Sequence, residues 1–377
     1  MKRCQVGVIG LGFVGMAHID ALRRLPGVEV AAVCAPVGAQ EIAGRYHVPF
    51  WCEDWEELLA QETLDAVHIC TPNHLHYPIA KAAIERSLAV VCEKPFTRTV
   101  EEARELAALA KERGNGNMVN FHNRFYPMAH RLRTLCLGGE LGEVISVDGA
   151  YLQDWLLYQT DYSWRLSKEQ SGRTRTVADI GSHWLDLAEY VTGKRITGMM
   201  AQFKTWYPVR KRAKGELATF AKAGPDTGYV EEPVETEDLA SVLLRFEGGA
   251  VGSACFSQMC AGRKNSLRLQ VSGTKQSAQW ELERPDQLEL GRREGGNLLL
   301  QKDPSDCDRE TAELISYPAG HGEGFPGAFY QGFKQFYRSL KDPGTRRDYA
   351  DFAAGARDME LCEAAFQSAY SGQWVEV

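Results

Sequence analysis

The chain has 377 residues, of which 44% are hydrophobic and 25% charged, with 10 cysteines and a formal net charge of -7. That length exceeds the size at which one core stops growing, so two domains are expected, and no apolar run approaches the roughly 20 residues that cross a bilayer. The acidic balance argues against nucleic acid as a partner, and scattered cysteines without a C-x-x-C pair indicate neither a disulfide framework nor a zinc site.

The opening Met-Lys-Arg-Cys runs directly into a strand pattern, leaving no room for a signal-peptide core, so a reducing cytoplasm is the expected compartment. Residues 1–127 alternate between the two periods of regular structure. Strand-like runs rich in valine, isoleucine and alanine cover 5–9, 29–34, 66–70 and 89–92, as strands buried on both faces should. Helical patterns cover 15–24, 40–46, 55–61, 76–86 and 100–113. This order predicts an α/β domain with a doubly wound parallel sheet, the Rossmann arrangement, as a nucleotide-binding unit.

The first strand and helix meet at Gly10-Leu11-Gly12-Phe13-Val14-Gly15. In that context Gly10 permits a tight turn, Gly12 lets backbone approach a pyrophosphate, and Gly15 lets the helix pack on the strand. The helix N-terminus then offers amide donors to the phosphates. About 20 residues further on, where a carboxylate usually accepts from the adenosine ribose, stands Ala35. No arginine adjoins it to attract a 2′-phosphate, so NAD and NADP both stay open, with a lean toward NAD.

From 128 to 377 the pattern changes to a second, α+β domain with an open, mainly antiparallel sheet, expected to bind substrate and to form a homodimer or homotetramer. A helix is predicted over 128–137. Two-residue alternation follows in "VISVDGAYLQ", "DLASVLLRFEGGAVGSACFSQ", "SLRLQVSG", "SAQWELE" and "QLELGRR", with hairpin turns at "EGGA" and "SGTKQS". "TVADIGSHWLDLAEYVTGK" reads as a helix stopped by its glycine and lysine. The stretch 206–237 lacks periodicity and reads as a mobile surface loop.

"CEKPFT", in which Glu93-Lys94-Pro95 closes a strand downstream of the glycine loop and of "CTPNHLH", resembles the glucose-fructose oxidoreductase / inositol dehydrogenase / MocA family. "NFHNRFYP", "DIGSHWLDL" and the terminal "SAYSGQWVEV" agree, so the resemblance spans nearly the whole chain. It implies a nicotinamide cofactor contacted by Gly10, Gly12, Phe13, Val14, Gly15, Ala35, Thr71, Pro72, Asn73, His76, Glu93, Lys94 and Pro95. A cis bond before Pro95 is implied too. It further implies that Lys94, Asp179 and His183 surround the nicotinamide and a sugar or cyclitol. "YLQDWLLYQTDYSWRL" and "PAGHGEGFPGAFYQGF" resemble the levoglucosan and glycoside 3-dehydrogenase-like subgroup, which implies a pyranose substrate. The departures are Ala35 and a short connection after the second strand, and both bear on the choice of cofactor.

Oxidation of a secondary alcohol requires the hydroxyl proton to leave as hydride leaves the same carbon. Asp179 and His183 stand four apart and would share a helix face, where a carboxylate can fix an imidazole's tautomer. The expected roles are His183 as proton acceptor, Asp179 as its orienting partner and a binder of a substrate hydroxyl, and Lys94 as donor to the reacting oxygen or member of the proton relay. An N-cap role for Asp179 and a core role for His183 remain the plainer alternatives from spacing alone. Aromatic faces and planar polar groups suit sugars, which makes Tyr126, Gln153, Asp154, Trp155, Trp164, Arg165 and His321 candidate substrate contacts. No metal is expected. Two other functions stay open at this point: an NAD-dependent glycosidase that recycles its cofactor internally, and a nucleotide-binding sensor without catalysis.

Overall fold

Strands rich in β-branched residues pair side by side when helices can cover both faces, and the first third of the chain does this. The computed structural model describes residues 3–214, 228–342 and 344–377. It divides into two compact units, one of residues 1–125 with 325–359, the other of residues 126–324 with 360–377.

In the first unit, strands β1 (Cys4–Ile9), β2 (Val28–Cys34), β3 (Phe50–Cys52), β4 (Ala66–Ile69), β5 (Ala89–Cys92) and β6 (Asn117–Val119) form one sheet in the order β3-β2-β1-β4-β5-β6. Every pairing is parallel. Helices α1 (Phe13–Arg23), α2 (Ala39–Tyr46), α3 (Trp55–Leu59), α4 (His76–Glu85) and α5 (Val100–Arg113) alternate with the strands. Their ends follow local chemistry: Thr99 caps α5 by accepting from the Glu102 amide, and Gly114 closes it in the left-handed region. The strand order reverses between β1 and β4, which opens a crevice at their carboxyl ends where doubly wound sheets bind nucleotides. The short strands β3 and β6 escape a sequence reading because three residues carry no period.

In the second unit, α6 (Pro127–Leu137), α7 (Lys168–Ser171) and α8 (Ser182–Thr192) accompany the strands β7 (Val144–Leu152), β8 (Ile196–Lys204), β9 (Val209–Ala213), β10 (Tyr229–Pro233), β11 (Leu239–Phe246), β12 (Val251–Ser257), β13 (Ser266–Gly273), β14 (Ser277–Glu281), β15 (Gln287–Gly291) and β16 (Leu298–Gln301). Helices α9 (Arg309–Ala312), α10 (Phe325–Lys341) and α11 (Phe352–Ser371) and strand β17 (Val375–Glu376) complete the chain, and α10 with the first turns of α11 belongs to the first unit. Nine strands make one sheet in the order β16-β15-β14-β13-β7-β12-β11-β8-β17. It is antiparallel except where β12 runs parallel to β7. The hairpin turns expected at "EGGA" and "SGTKQS" join β11 to β12 and β13 to β14. Alternation sorts β11 cleanly: Ala240, Val242, Leu244 and Phe246 are buried while Leu243 is exposed.

The segment expected to be a loop over 206–237 is different where it is described. Strands β9 and β10 pair antiparallel, and Arg210 is fully buried. The order comes from Asp238, whose carboxylate accepts from Arg210 and Arg175 and from the amides of Trp206 and Tyr207, none of which a local period reports. Residues 215–227 of that stretch lie outside the described residues. No described helix is long and apolar enough to cross a membrane.

Candidate active site

In the first unit, the end of β1 turns into α1 through the glycine loop. Gly10 has a φ of 92°, and a Cβ there would fall 2.5 Å from the Cys70 carbonyl oxygen at the end of β4. A Cβ at Gly15 would fall 1.9 Å from the carbonyl oxygen of Gly10. Those two glycines are therefore required by the protein itself. Gly12 caps α1 without a side-chain bond and has open space around its missing Cβ, so the pressure for glycine there is external, as a close-lying pyrophosphate would supply. Phe13 is exposed and stacks on Phe325 at 5.7 Å, and Val14 is half-buried beside it. Ala35 is buried, its amide on the Cys52 carbonyl, and offers no acid to a ribose.

After β4, Thr71 and Pro72 lead into a 3-10 turn at Asn73–Leu75 and then α4. The Thr71 hydroxyl is buried without a partner, a polar atom suited to a ligand at this edge. His76 faces two carbonyl oxygens at 2.9 Å, those of Thr71 and Pro95. Burial holds its ring below the ordinary histidine value, so at neutral pH it keeps one N–H and donates to one of the two. Its ring sits between the Thr71 loop and the Lys94-Pro95 turn, whose peptide bond is cis. Glu93 is buried. Desolvation alone would raise its carboxyl, but the His18 ring at 3.0 Å, Lys94, and the Asn120 amide at 2.6 Å outweigh that and hold it down at about 2. The glycine cradle, the Thr71 hydroxyl and the turn at Lys94 thus gather at one edge of one sheet and fit a dinucleotide.

In the second unit, Asp179 lies in a π-helical turn (Val177–Gly181) that runs straight into α8, which carries His183. The Asp179 carboxylate accepts from Gln258 Nε2 at 2.7 Å and lies 3.5 Å from Arg165 Nε. His183 is buried with its ring 6.2 Å from that of Tyr151. Tyr151 donates to Asn265 Oδ1 at 2.6 Å, Gln153 Nε2 donates to the same oxygen at 2.9 Å, and Trp155 donates to Gln153 Oε1 at 2.8 Å. Burial, with Tyr126 and Asp179 nearby, pushes the Tyr151 phenol far up, so it stays a neutral donor. The Arg165 guanidinium lies 4.5 Å over the Trp164 ring. Asp179, His183, Gln153, Trp155, Trp164 and Arg165 are thereby linked into one polar and aromatic cluster.

The remaining expected contacts are Asp154, Tyr126 and His321. Asp154 is taken by Lys264 at 2.7 Å and the Gly262 amide at 3.0 Å, and the Lys264 bond holds its carboxyl low. Tyr126 is buried and packs on Trp280. His321 is exposed, its ring 3.3 Å from the Ala319 carbonyl oxygen. Tyr151, Gln258 and Asn265 were not anticipated. Tyr151 could have been, since it lies two residues before Gln153 along one strand face. Among the described residues no group of three or more His, Cys, Asp or Glu could hold a metal ion.

Residues 4–121 match the profile of the Gfo/Idh/MocA oxidoreductase family with its NAD-binding Rossmann fold, and residues 129–279 match the C-terminal domain of the same family. The chain is 30% identical to levoglucosan dehydrogenase of Pseudarthrobacter phenanthrenivorans, over 100% of this chain and 99% of that one. It is 32% identical to D-glucoside 3-dehydrogenase of Escherichia coli over 50% of this chain and 54% of that one. Among solved structures, levoglucosan dehydrogenase in complex with NADH and levoglucosan superposes with a TM-score of 0.88 at 28% identity, covering 100% of both chains.

Proposed function

Because the chain belongs to the glucose-fructose oxidoreductase / inositol dehydrogenase / MocA family of NAD-binding oxidoreductases, we propose that it oxidises a ring hydroxyl of a pyranose or pyranoside, at C3, with NAD. Activity as a nicotinamide-dependent sugar or polyol dehydrogenase is the family's common property; the ring, the carbon and the residue roles are the proposal. The observation that carries it is the cluster around Asp179 and His183. Tyr151, Gln153 and Asn265 form a hydrogen-bonded set to which Trp155 donates, and Trp164 lies under the Arg165 guanidinium that faces Asp179, a mixture of flat apolar and polar groups that suits a pyranose.

When bound, the nicotinamide would supply the hydride acceptor. Gly10, Gly12, Gly15 and the α1 N-terminus would hold its pyrophosphate, with the Thr71 hydroxyl available to the nucleotide. His183 accepts the hydroxyl proton. Asp179, fixed by Gln258 and Arg165, orients His183 and binds a neighbouring hydroxyl. Lys94 donates to the reacting oxygen, which lowers the cost of the charge that develops there. The physiological assembly in this reading is a homodimer or homotetramer built on the open face of the nine-stranded sheet, where Leu243 and Val251 are exposed.

The test is nicotinamide absorbance with purified protein against pyranoses, glycosides, anhydrosugars and inositols, with NAD and NADP in parallel, followed by product analysis for the oxidised carbon. Reduction of NAD by a pyranoside with a 3-keto product supports the reading. Reduction only by inositols refutes the pyranose assignment, and release of aglycone without net reduction refutes the dehydrogenase.

A further inference from the structure

Glu93 does more than close its strand. Its Oε1 lies 3.0 Å from His18 Nε2, His18 Nδ1 lies 2.8 Å from His68 Nδ1, and His68 Nε2 lies 2.9 Å from the Tyr337 hydroxyl. His18 and His68 are completely buried, and Glu93 and Tyr337 nearly so. The chain runs from the carboxyl end of β5 on the Lys94 side toward the amino ends of β1 and β4, where Cys4 and Asp65 act on the Tyr337 phenol. No cavity or ligand is needed to see it, and the site described above leaves its two histidines without a task.

Two proton arrangements make every bond in this chain. In one, His18 is an imidazolium: Nε2–H donates to Glu93, Nδ1–H donates to His68 Nδ1, and His68 Nε2–H donates to Tyr337. In the other, His18 is neutral: it still donates to Glu93, while His68 Nδ1–H donates to His18 and the Tyr337 hydroxyl donates to His68 Nε2. The arrangements differ by one proton, and His68 is neutral in both. That matches its environment, since burial and the neighbouring His18 push His68 well below the ordinary histidine value. Any positive charge on the chain therefore rests on His18 against Glu93. Lys94 draws on the same carboxylate, its charge acting on Glu93 and its amide donating to Glu93 Oε2 at 3.2 Å.

We propose that His18 and Lys94 share the charge of Glu93, so that the chain Glu93–His18–His68–Tyr337 gives up a proton at its far end as Lys94 gains one. The transfer balances: the His18 Nδ1 proton passes to His68 Nδ1, the His68 Nε2 proton passes to the Tyr337 oxygen, and the proton formerly on Tyr337 leaves toward Asp65 and Cys4 at the amino ends of β4 and β1. The other polar and titratable groups around the chain are Asn120, His122, His76, Cys70 and Cys92 at the Glu93 end; both thiols and the His122 and His76 rings are held neutral chiefly by burial. The rings of Phe329 and Phe333 pack on His18 and keep water from it. This inference rests on the reading of Lys94 as a catalytic lysine.

The test uses His68→Phe, which keeps a ring against Phe333 and Tyr337 but removes both nitrogens, and Tyr337→Phe, which removes one hydroxyl. Imidazole nitrogen NMR of the nucleotide-free protein should find His18 Nδ1 hydrogen-bonded to His68 Nδ1 in the wild type, and that bond lost with fewer protons on the His18 ring in His68→Phe, where Nδ1–H has no acceptor. Glu93 then acts on Lys94 alone and favours the ammonium. Lys94 works as the protonated donor, so the alkaline limb of the kcat profile should move up by about one pH unit, a gain of about tenfold on that limb, with KM for the sugar within about twofold. Tyr337→Phe should lower kcat about fivefold and raise the solvent deuterium isotope effect. An unchanged His18 ring in His68→Phe, or unchanged pH profiles and isotope effects in both variants, overturns the proposal. If the NMR and pH changes appear while Lys94→Ala turns over normally, the coupling to catalysis is overturned through the reading of Lys94, and the buried proton chain alone stands.

Discussion

Replacing Asp238 with alanine would leave two guanidinium groups, those of Arg175 and Arg210, fully buried and facing each other. Asp238 Oδ1 accepts from Arg175 Nη2 at 2.5 Å and Arg210 Nη2 at 2.7 Å, and Oδ2 accepts from the amides of Trp206 and Tyr207 at 2.7 and 3.1 Å. All three charged side chains have 0% exposure. Breaking a buried ion pair by removing one partner costs about 3–5 kcal/mol, because the remaining charge has no solvent to return to. For a unit of this size each kcal/mol corresponds to about 2–4 °C, so the thermal midpoint of the second unit should fall by about 6–20 °C. The pH dependence gives the sign. Burial alone would raise the Asp238 carboxyl, but the two arginines outweigh it and hold it below its ordinary value. Its contribution is therefore complete above the unfolded value near 3.9 and is lost as pH falls through the lower folded value. The deficit of Asp238→Ala should be full at pH 7 and shrink at strongly acidic pH. Circular dichroism melts of both proteins across that range measure it, and a midpoint within about 2 °C of wild type at pH 7 would refute the buried-charge argument.

Gly12→Val should leave the melting temperature within about 1 °C, since nothing crowds its Cβ, yet weaken nucleotide binding at least tenfold by calorimetry, whereas Gly15→Ala should lower both stability and binding because of the Gly10 carbonyl. His183→Ala and Lys94→Ala should each cut kcat by about 100-fold or more with unchanged circular dichroism, and near-normal turnover in both would sink the assigned roles. His122 is lowered to about 4, chiefly by burial, so its neutral form supports folding fully above pH 6.5 and that support declines as pH falls from 6.5 toward 4. The fall from 6.5 to about 4 corresponds to about 3 kcal/mol, and urea titrations of His122→Phe, which keeps ring packing on Phe325 and Phe329, should show a flatter pH dependence over that interval.

The parallel sheet was legible because its strands are buried on both faces and read as unbroken apolar runs. The expected 29–34 and 89–92 became Val28–Cys34 and Ala89–Cys92. The β11–β12 hairpin was legible because Gly248 and Gly249 occupy positive φ, where the turn demands them. The glycine loop was legible because its spacing between a strand and a helix is itself a local pattern, although the atom that demands Gly10 is the distant Cys70 carbonyl oxygen. What escaped was assembled from distant positions. His18, His68, Glu93, Asn120 and Tyr337 come from five separate stretches of the chain, and no period or spacing predicts that two histidines fifty residues apart will bond. The same holds for Arg210, which in sequence is one basic residue in a charged stretch and in the fold is a fully buried partner of Asp238.

The spacing of Asp179 and His183 shows how local and distant causes combine. Four residues apart reads as one face of an α-helix, but the segment holding Asp179 is a wider π turn, a form that rarely persists without outside support. That support comes from the chain just before β11. The Glu237 carboxylate accepts from the amides of Arg175 and Val177, and the Glu237 carbonyl accepts from the Thr176 hydroxyl and the Arg175 guanidinium. Gly181 ends the turn where a Cβ would come within 2.9 Å of the Phe256 ring. From β12 onward the chain also supplies Gln258, which holds Asp179 itself. If Asp179 acts as proposed, the buried groups at Arg175, Arg210, Glu237 and Asp238 serve more than folding. They fix the turn on which the carboxylate stands, so a variant that loosens them should lose kcat before it loses the fold.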